Sequence, residues 1–187
     1  MATEPRTTGL RYDDLAAFPE DNLRRELIDG ELIVTAAPAL RHQRVVRRLV
    51  VALDRYAEAN GGEVFPSPTD VFLSETNVVE PDVIFVRAEN ARKLEERFVR
   101  SAPDLVVEVS SPSTRRLELI RKRDLYERFG VPEYWYVDLD ADRLEVHRLE
   151  AGRYAPPTLL GRRDEAMSPQ LAGFSISVDE ALGPPED

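Results

Sequence analysis

The run Leu105-Val106-Val107-Glu108-Val109 contains a single carboxylate among four apolar residues. Apolar side chains occupy both alternating sets of positions, which predicts a strand buried on both faces of a sheet. Burial disfavours the charged form of a lone carboxylate, so Glu108 either takes up a proton or pairs with a cation. The partner of Glu108 must therefore come from the neighbouring elements.

A second run, Asp82-Val83-Ile84-Phe85-Val86, is apolar at both sets of positions and predicts another central strand. If the two strands pair antiparallel, Asp82 at the start of one lies beside Glu108 at the end of the other. Two adjacent carboxylates repel each other unless a cation neutralises them. Oxygen ligands of this kind suit Mg²⁺ or Mn²⁺ with several waters retained.

Lys122 stands out for its position and its residue type. The segment 115–129 predicts a helix, and Lys122 lies in the middle of its apolar arc. The arc consists of Leu119, Leu125, Tyr126 and Phe129. The chain has 25 basic residues, and only Lys93 and Lys122 among them are lysines, which indicates that a compact ammonium is needed at position 122 instead of a planar guanidinium.

These three residues also have separate explanations. Glu118 lies four residues before Lys122, so a helix ion pair would account for the lysine. Glu108 would be a protonated or paired core acid, and Asp82, which follows Pro81, would cap a turn. One metal site that joins Asp82, Glu108 and Lys122 explains all three at once, and it is the hypothesis that we favour.

The N-terminal part predicts a β-hairpin. The apolar-rich runs Arg24–Ile28 and Glu31–Val34 are separated by Asp29-Gly30, a dipeptide typical of a type I′ turn, in which both central residues have positive φ. In this register Glu26 opposes Ile33, so Glu26 shares a face with apolar residues.

A long helix is predicted over residues 39–60, followed by Gly61-Gly62. Its apolar residues form one arc, and His42 lies in the middle of that arc. His42 is either a core histidine whose ring bonds locally or a residue that reaches a site at the sheet edge. The arginines at positions 41, 44, 48 and 55 lie on the opposite side, where a solvated face is the simplest interpretation and nucleic-acid contact is the alternative.

The remaining segments complete an α/β pattern. Further strands are predicted at 63–65 and 70–73, and a short helix at 12–18. Extra antiparallel strands and a closing element are predicted in the C-terminal part, at Glu133–Asp138, Arg143–Leu149, Tyr154–Leu160 and Phe174–Leu182. His147 on these strands is expected to be structural or exposed. We expect a single domain over residues 1–187, with flexible tails at 1–9 and 183–187.

The composition excludes several classes of protein. Hydrophobic residues make up 42% and charged residues 32% of the 187 residues, which is typical of a globular domain. The chain has no cysteine, which excludes disulfides and thiolate zinc sites and fits a cytoplasmic location. No segment is long and apolar enough to span a membrane. The net charge of −10 opposes non-specific binding to nucleic acid unless basic residues cluster, as they do within 41–55 and 115–123.

Several motifs follow one another in a specific order. They are Glu26-Leu27-Ile28-Asp29-Gly30-Glu31-Leu32, His42, Glu80-Pro81-Asp82, the run from Pro103 to Thr114, Lys122, Tyr126 and Gly130-Val131-Pro132-Glu133-Tyr134-Trp135. In this order the motifs resemble the Uma-two family of restriction-endonuclease-like proteins, within the PD-(D/E)xK nuclease superfamily. The short nuclease signature would place its lysine at position 110, where this chain has Ser110. The resemblance is to nucleases whose lysine has moved to the following helix, at Lys122.

The resemblance implies roles for several residues. Asp82 and Glu108 would bind a divalent metal, Mg²⁺ or Mn²⁺, and Lys122 would hold or activate the attacking water. Glu26 would assist from the hairpin, and His42 would lie nearby. Glu118 stands where the family usually has an aspartate before the lysine. The resemblance also implies an α/β fold with a restriction-endonuclease-like mixed β-sheet flanked by helices, and a homodimer.

Two functions of different classes are therefore expected. The first is a metal-dependent endonuclease that hydrolyses phosphodiester bonds in nucleic acid, with DNA as the substrate. The alternative is a catalytically inactive dimeric module that keeps the nuclease fold for binding or regulation, which the net charge and the missing lysine at position 110 favour. A hydrolase of a small phosphate-containing molecule is a third hypothesis.

Overall fold

The structure is a computed structural model that describes residues 7–19, 23–35, 37–110 and 117–185, and at 117–119 it describes the backbone alone. The helices are α1 Tyr12–Leu15, α2 Leu40–Asn60, α3 Arg123–Arg128 and α4 Val178–Leu182, with a 3₁₀ helix at Ala88–Lys93 and a π-helical segment at Leu117–Lys122. The first strands are β1 Arg24–Ile28, β2 Glu31–Thr35, β3 Glu63–Pro66, β4 Val71–Ser74, β5 Asn77–Val79, β6 Val83–Val86, β7 Val99–Arg100 and β8 Leu105–Val109. The later strands are β9 Glu133–Asp138, β10 Arg143–Glu150, β11 Arg153–Tyr154, β12 Thr158–Gly161, β13 Glu165–Met167 and β14 Ser175–Ser177.

The central sheet is mixed and has the order β11-β10-β9-β8-β6-β3, with β12 also pairing β10. Strands β6 and β8 are antiparallel, with Val83 opposite Val107, as the sequence predicted. Strand β9 runs parallel to β8 and antiparallel to β10. A parallel pair beside antiparallel ones, with helices packed on the sheet, confirms the predicted mixed α/β fold with extra C-terminal strands.

Both faces of the central sheet are buried, because α2 covers one face and a second sheet together with α3 covers the other. On the α2 side, Val107 and Val109 pack in one apolar cluster with Leu49 and Leu53. On the opposite side, Val106 belongs to a cluster that includes Ile28, Val79, Leu125 and Tyr126. Because side chains alternate along a strand, Glu108 projects to the same side as Val106, toward the second sheet and α3.

The second sheet has the order β2-β1-β5-β4-β7 and contains the predicted hairpin. Glu26 lies opposite Ile33, which confirms the predicted register. Asp29 and Gly30 have φ values of 52° and 73°, as a type I′ turn requires. A Cβ atom at Gly30 would lie 3.1 Å from the carbonyl oxygen of Leu10, so the close approach of this segment also needs glycine.

The described part of the predicted N-terminal tail lies along this hairpin. The N–H of Leu10 donates to the carbonyl of Gly30 (2.9 Å), and the N–H of Leu32 donates to the carbonyl of Thr7 (2.9 Å). Residues 1–6 and 186–187 of the predicted tails lie outside the described residues.

Several boundaries differ from the prediction. Helix α1 ends at Leu15, and the predicted strand over 154–160 is divided into β11 and β12. Strands β5 and β13 were not predicted, because three residues are too few to show an alternating pattern. The helix predicted over 115–129 is π-helical before it becomes α3, and residues 111–116 lie outside the described residues. Among the described helices, none has both the length and the apolar character that crossing a membrane requires.

Candidate metal and catalytic site

Lys122 lies at the centre of a buried ionic cluster. Its Nζ is 2.7 Å from Oε1 of Glu26 and donates to Oε1 of Glu108 at 2.8 Å. All three side chains are completely buried. The ammonium therefore bridges the hairpin and the central strand β8. The side chain of Glu118, the alternative partner, lies outside the described residues.

The helix that carries Lys122 also supplies a tyrosine to the cluster. Tyr126 lies four residues after Lys122, and its hydroxyl donates to Oε1 of Glu108 at 2.6 Å. Residues four apart lie on the same face of a helix, and Leu125 beside them fills the apolar core. One oxygen of Glu108 thus accepts hydrogen bonds from both an ammonium and a phenol.

Asp82 lies just before β6, and three elements supply donors to its carboxylate. Its Oδ2 accepts the backbone N–H of Val109 at 2.8 Å and lies 3.0 Å from Nε2 of His42. Its Oδ1 accepts NH1 of Arg24 at 3.0 Å. The hairpin, α2 and the end of β8 therefore meet at this carboxylate, which does not serve as a simple turn cap.

His42 is the third residue of α2, which begins at Leu40, and its side chain is buried. Its Nε2 contacts Asp82, and its Nδ1 is buried without a hydrogen-bond partner. Of the two interpretations of this histidine, the structure places it in the acidic cluster and not in a purely apolar setting.

The structure thus brings together the five residues singled out in the sequence, Glu26, His42, Asp82, Glu108 and Lys122. Sequence reasoning missed two further contributors, Arg24 and Tyr126. Both carried a periodicity signal, because Arg24 lies two residues before Glu26 on a strand and Tyr126 lies four residues after Lys122 on a helix.

The electrostatics of the two central acids differ. Burial opposes ionisation of Asp82, but the hydrogen bond and charge of His42, followed by Arg24 and the N–H of Val109, hold its pKa below the usual value. Burial raises the pKa of Glu108, and the charge of Lys122 only partly offsets that effect. Asp82 is therefore the ionised member of the pair, and Glu108 is the one that holds a proton more readily.

Glu80 adds a titratable group at the edge of the cluster. Its backbone N–H donates to Oε1 of Glu26 at 2.8 Å. Burial, together with the charges of Asp70 and Glu26, raises the pKa of the Glu80 carboxyl to about 7. The acidic groups around Glu26 therefore exceed the charge that Lys122 and Arg24 neutralise.

The cluster offers oxygen atoms suited to a hard divalent cation. Oε2 of Glu26 and Oε2 of Glu108 are buried without hydrogen-bond partners, whereas both oxygens of Asp82 accept bonds from the chain. Within the described ranges, no group of three or more acidic, histidine or cysteine side chains is placed to hold a metal ion together. Mg²⁺ commonly takes one or two carboxylates and fills its remaining positions with water and substrate phosphate, so the donor set fits this ion.

The predicted arginine face of α2 is only partly solvated. Arg41 donates to the carbonyl of Leu139 and pairs with Asp142, and NH1 of Arg48 donates to the carbonyl of Leu182 at 3.3 Å. Arg55 is exposed. Arg41 and Arg48 thus hold α2 against the C-terminal segments.

Comparisons with known proteins agree with this fold. The model of the Uma2 family, described as "Putative restriction endonuclease", matches residues 11–179. A solved structure described as "a putative nuclease belonging to DUF820" from Anabaena variabilis is similar at 16% sequence identity, with a TM-score of 0.78 over 92% of this chain and 97% of that one. The comparison with curated proteins gave no match.

Proposed function

Because this chain belongs to the Uma2 family, we propose that it is a metal-dependent endonuclease that hydrolyses phosphodiester bonds, with DNA as its substrate. The observation that carries the proposal is the buried ammonium of Lys122 between Glu26 and Glu108, each of which keeps one oxygen without a hydrogen-bond partner. A buried polar atom left unsatisfied in a native fold calls for an explanation, and a ligand is the simplest one here.

The proposed cofactor is Mg²⁺ or Mn²⁺, which would be held by one or two of the carboxylates of Asp82, Glu108 and Glu26. Such an ion supplies a polarised phosphate oxygen and a water of lowered pKa. Lys122 orients the attacking water and stabilises the negative charge that develops on the phosphate. His42 and the N–H of Val109 keep the Asp82 carboxylate ionised and fixed in orientation.

The two lysines of the chain provide a matched test. We expect Lys122→Arg to lower the rate of Mg²⁺- or Mn²⁺-dependent cleavage of single- or double-stranded DNA by a factor on the order of 100, since a planar guanidinium does not reproduce the ammonium geometry. Lys93→Arg is the control, because Lys93 donates to the carbonyl of Ala102 away from the cluster. Glu108→Gln should lose activity as well.

One outcome would contradict the assignment of this cluster as the active site. If Lys122→Arg, Glu108→Gln and the wild type cleave DNA at equal rates, the cluster is not the active site.

One observation favours a second candidate, a binding or regulatory module without catalysis. Both oxygens of Asp82 are already engaged by the chain, and Glu26, Glu108 and Lys122 have no exposed surface. A cluster that only stabilises the fold would look the same. In that case neither wild type nor Asp82→Asn would bind Mg²⁺ or Mn²⁺, and neither would cleave DNA at any metal concentration.

Homodimerisation is proposed as a further property that the family resemblance implies. Light scattering coupled to gel filtration measures it directly, and a single peak at the 21.2 kDa monomer mass would contradict it.

A further inference from the structure

Arg24, the first residue of β1, lies close to two carboxylates of the ionic cluster, Asp82 and Glu26. Its NH1 donates to Oδ1 of Asp82 at 3.0 Å, and its Nε lies 3.9 Å from Oε2 of Glu26. Oε2 of Glu26, like Oε2 of Glu108, is buried without a hydrogen-bond partner. The guanidinium of Arg24 therefore faces two carboxylate oxygens, Oδ1 of Asp82 and Oε2 of Glu26.

Arg24 is also the member of the cluster that solvent reaches. Its side chain is 18% exposed, compared with 6% for His42, 3% for Asp82 and none for Glu26. The carboxylates behind it are closed off.

The charges around Arg24 show what it does there. Glu26, Asp82 and Glu108 are three acids, and Arg24 and Lys122 are the permanent cations among them. NH1 of Arg24 contacts Asp82 and its Nε faces Glu26, whereas Nζ of Lys122 contacts Glu26 and Glu108. The guanidinium thus acts as a counter-ion for Asp82 and Glu26.

We propose that Arg24 is a built-in counter-ion that occupies the place of a divalent metal at Asp82 and Glu26, and that it competes with the metal for these carboxylates. This inference rests on the proposed metal site. A metal ion of charge +2 and a guanidinium repel each other at short range, so an ion bound at these carboxylates would have to displace Arg24 from Oδ1 of Asp82. Arg24 therefore lowers the affinity for metal while it keeps the metal-free cluster neutralised.

Thr35 sets the resting position of Arg24. The two residues are opposite each other in the hairpin, and Nε of Arg24 donates to Oγ1 of Thr35 at 3.1 Å. Thr35 is itself buried. Loss of this hydroxyl would loosen the guanidinium without removing its charge.

Calorimetric titration of the full chain with Mn²⁺ tests the inference. We expect Arg24→Gln to bind Mn²⁺ about tenfold or more tightly than wild type, because a charge-assisted hydrogen bond and a competing cation are removed. Arg24→Lys keeps the charge and should stay close to wild type. Thr35→Val should tighten binding about fivefold, the value of one neutral hydrogen bond, and it provides the test if Arg24→Gln does not fold.

A matched control removes an arginine from another buried aspartate. Nε of Arg87 donates to Asp104 at 3.2 Å, outside the cluster, so Arg87→Gln should leave the Mn²⁺ affinity unchanged. Equal or weaker Mn²⁺ binding in folded Arg24→Gln and Thr35→Val overturns the inference, as does the absence of binding in wild type and both variants. Wild-type protein that binds Mn²⁺ but cleaves no DNA would contradict the endonuclease proposal alone.

Discussion

Two buried glutamates on neighbouring strands, Glu108 and Glu133, are treated differently by the fold. Both side chains are completely buried. In the parallel pair of β8 and β9, Glu133 lies opposite Leu105, so the two glutamates are about 10 Å apart along the strand direction. They share residue type, burial and sheet, and they differ in their partners.

Both oxygens of Glu133 accept hydrogen bonds from neutral donors, and Nε of Arg148 lies 3.8 Å from its Oε1. Its Oε1 accepts Nε1 of Trp135 at 2.8 Å, and its Oε2 accepts Oγ of Ser168 at 2.5 Å. Glu108 instead accepts Lys122 and Tyr126 on one oxygen and nothing on the other. An unsatisfied buried oxygen costs stability, so the comparison indicates that the Glu108 end keeps a binding capacity that the Glu133 end lacks.

The largest expected effect comes from removing Lys122, the buried cation between Glu26 and Glu108. Lys122→Ala leaves Glu26 and Glu108 buried without their shared cation, and we expect a loss of about 3–5 kcal/mol in the free energy of unfolding. The triple variant Lys122→Met with Glu108→Gln and Glu26→Gln should recover most of that loss, since it removes all three charges. Urea denaturation measures both, and a loss below about 1 kcal/mol in Lys122→Ala would mean that the buried charges do not depend on the lysine.

The next effect concerns His147, whose ring stacks on Tyr134 with ring centroids 5.4 Å apart, on the face of the sheet opposite Glu133. Burial, and then the charge of Arg123, lower the pKa of His147 from 6.5 to about 4. Between these values the unfolded chain binds a proton that the folded chain does not, so stability falls as the pH falls from 6.5 to 4.

Replacing the histidine isolates that contribution. His147→Phe keeps an aromatic ring against Tyr134 and should lose this part of the pH dependence in urea denaturation between pH 6.5 and 4. An unchanged slope in the variant would show that His147 is protonated equally in the folded and unfolded states.

The smallest effect sharpens the contrast between the two glutamates. Glu133→Gln leaves one of its two donors, Trp135 or Ser168, without an acceptor, and we expect a loss of about 1–2 kcal/mol in stability. The affinity for Mn²⁺ should stay at the wild-type value. A changed affinity would mean that the two ends of the sheet are not independent.

Much of this arrangement could be predicted from the sequence. The Asp29-Gly30 turn fixed the hairpin register, and apolar runs identified both central strands, because local turn chemistry and alternation act over a few residues. Composition singled out Lys122. The link between Lys122 and Glu26 depended on the family resemblance, since no local pattern relates a hairpin to a helix nearly a hundred positions later.

Other features needed the tertiary structure. The π-helical segment before α3 could not be predicted, because an extra residue per turn leaves no mark in an apolar arc. The role of Arg24 depends on its distances to Asp82 and Glu26, which come from separate strands. His147 was expected to be structural or exposed, and only its packing on Tyr134 distinguishes these outcomes.

The most direct test of the central claim, a divalent-metal site at the Glu108 end of the sheet, is a calorimetric Mn²⁺ titration of wild type, Glu108→Gln and Glu133→Gln. The same substitution is made at two completely buried glutamates of neighbouring strands. We expect wild type and Glu133→Gln to bind Mn²⁺ alike, whereas Glu108→Gln should lose most of its affinity. Equal binding in all three proteins, or binding in none, would contradict it.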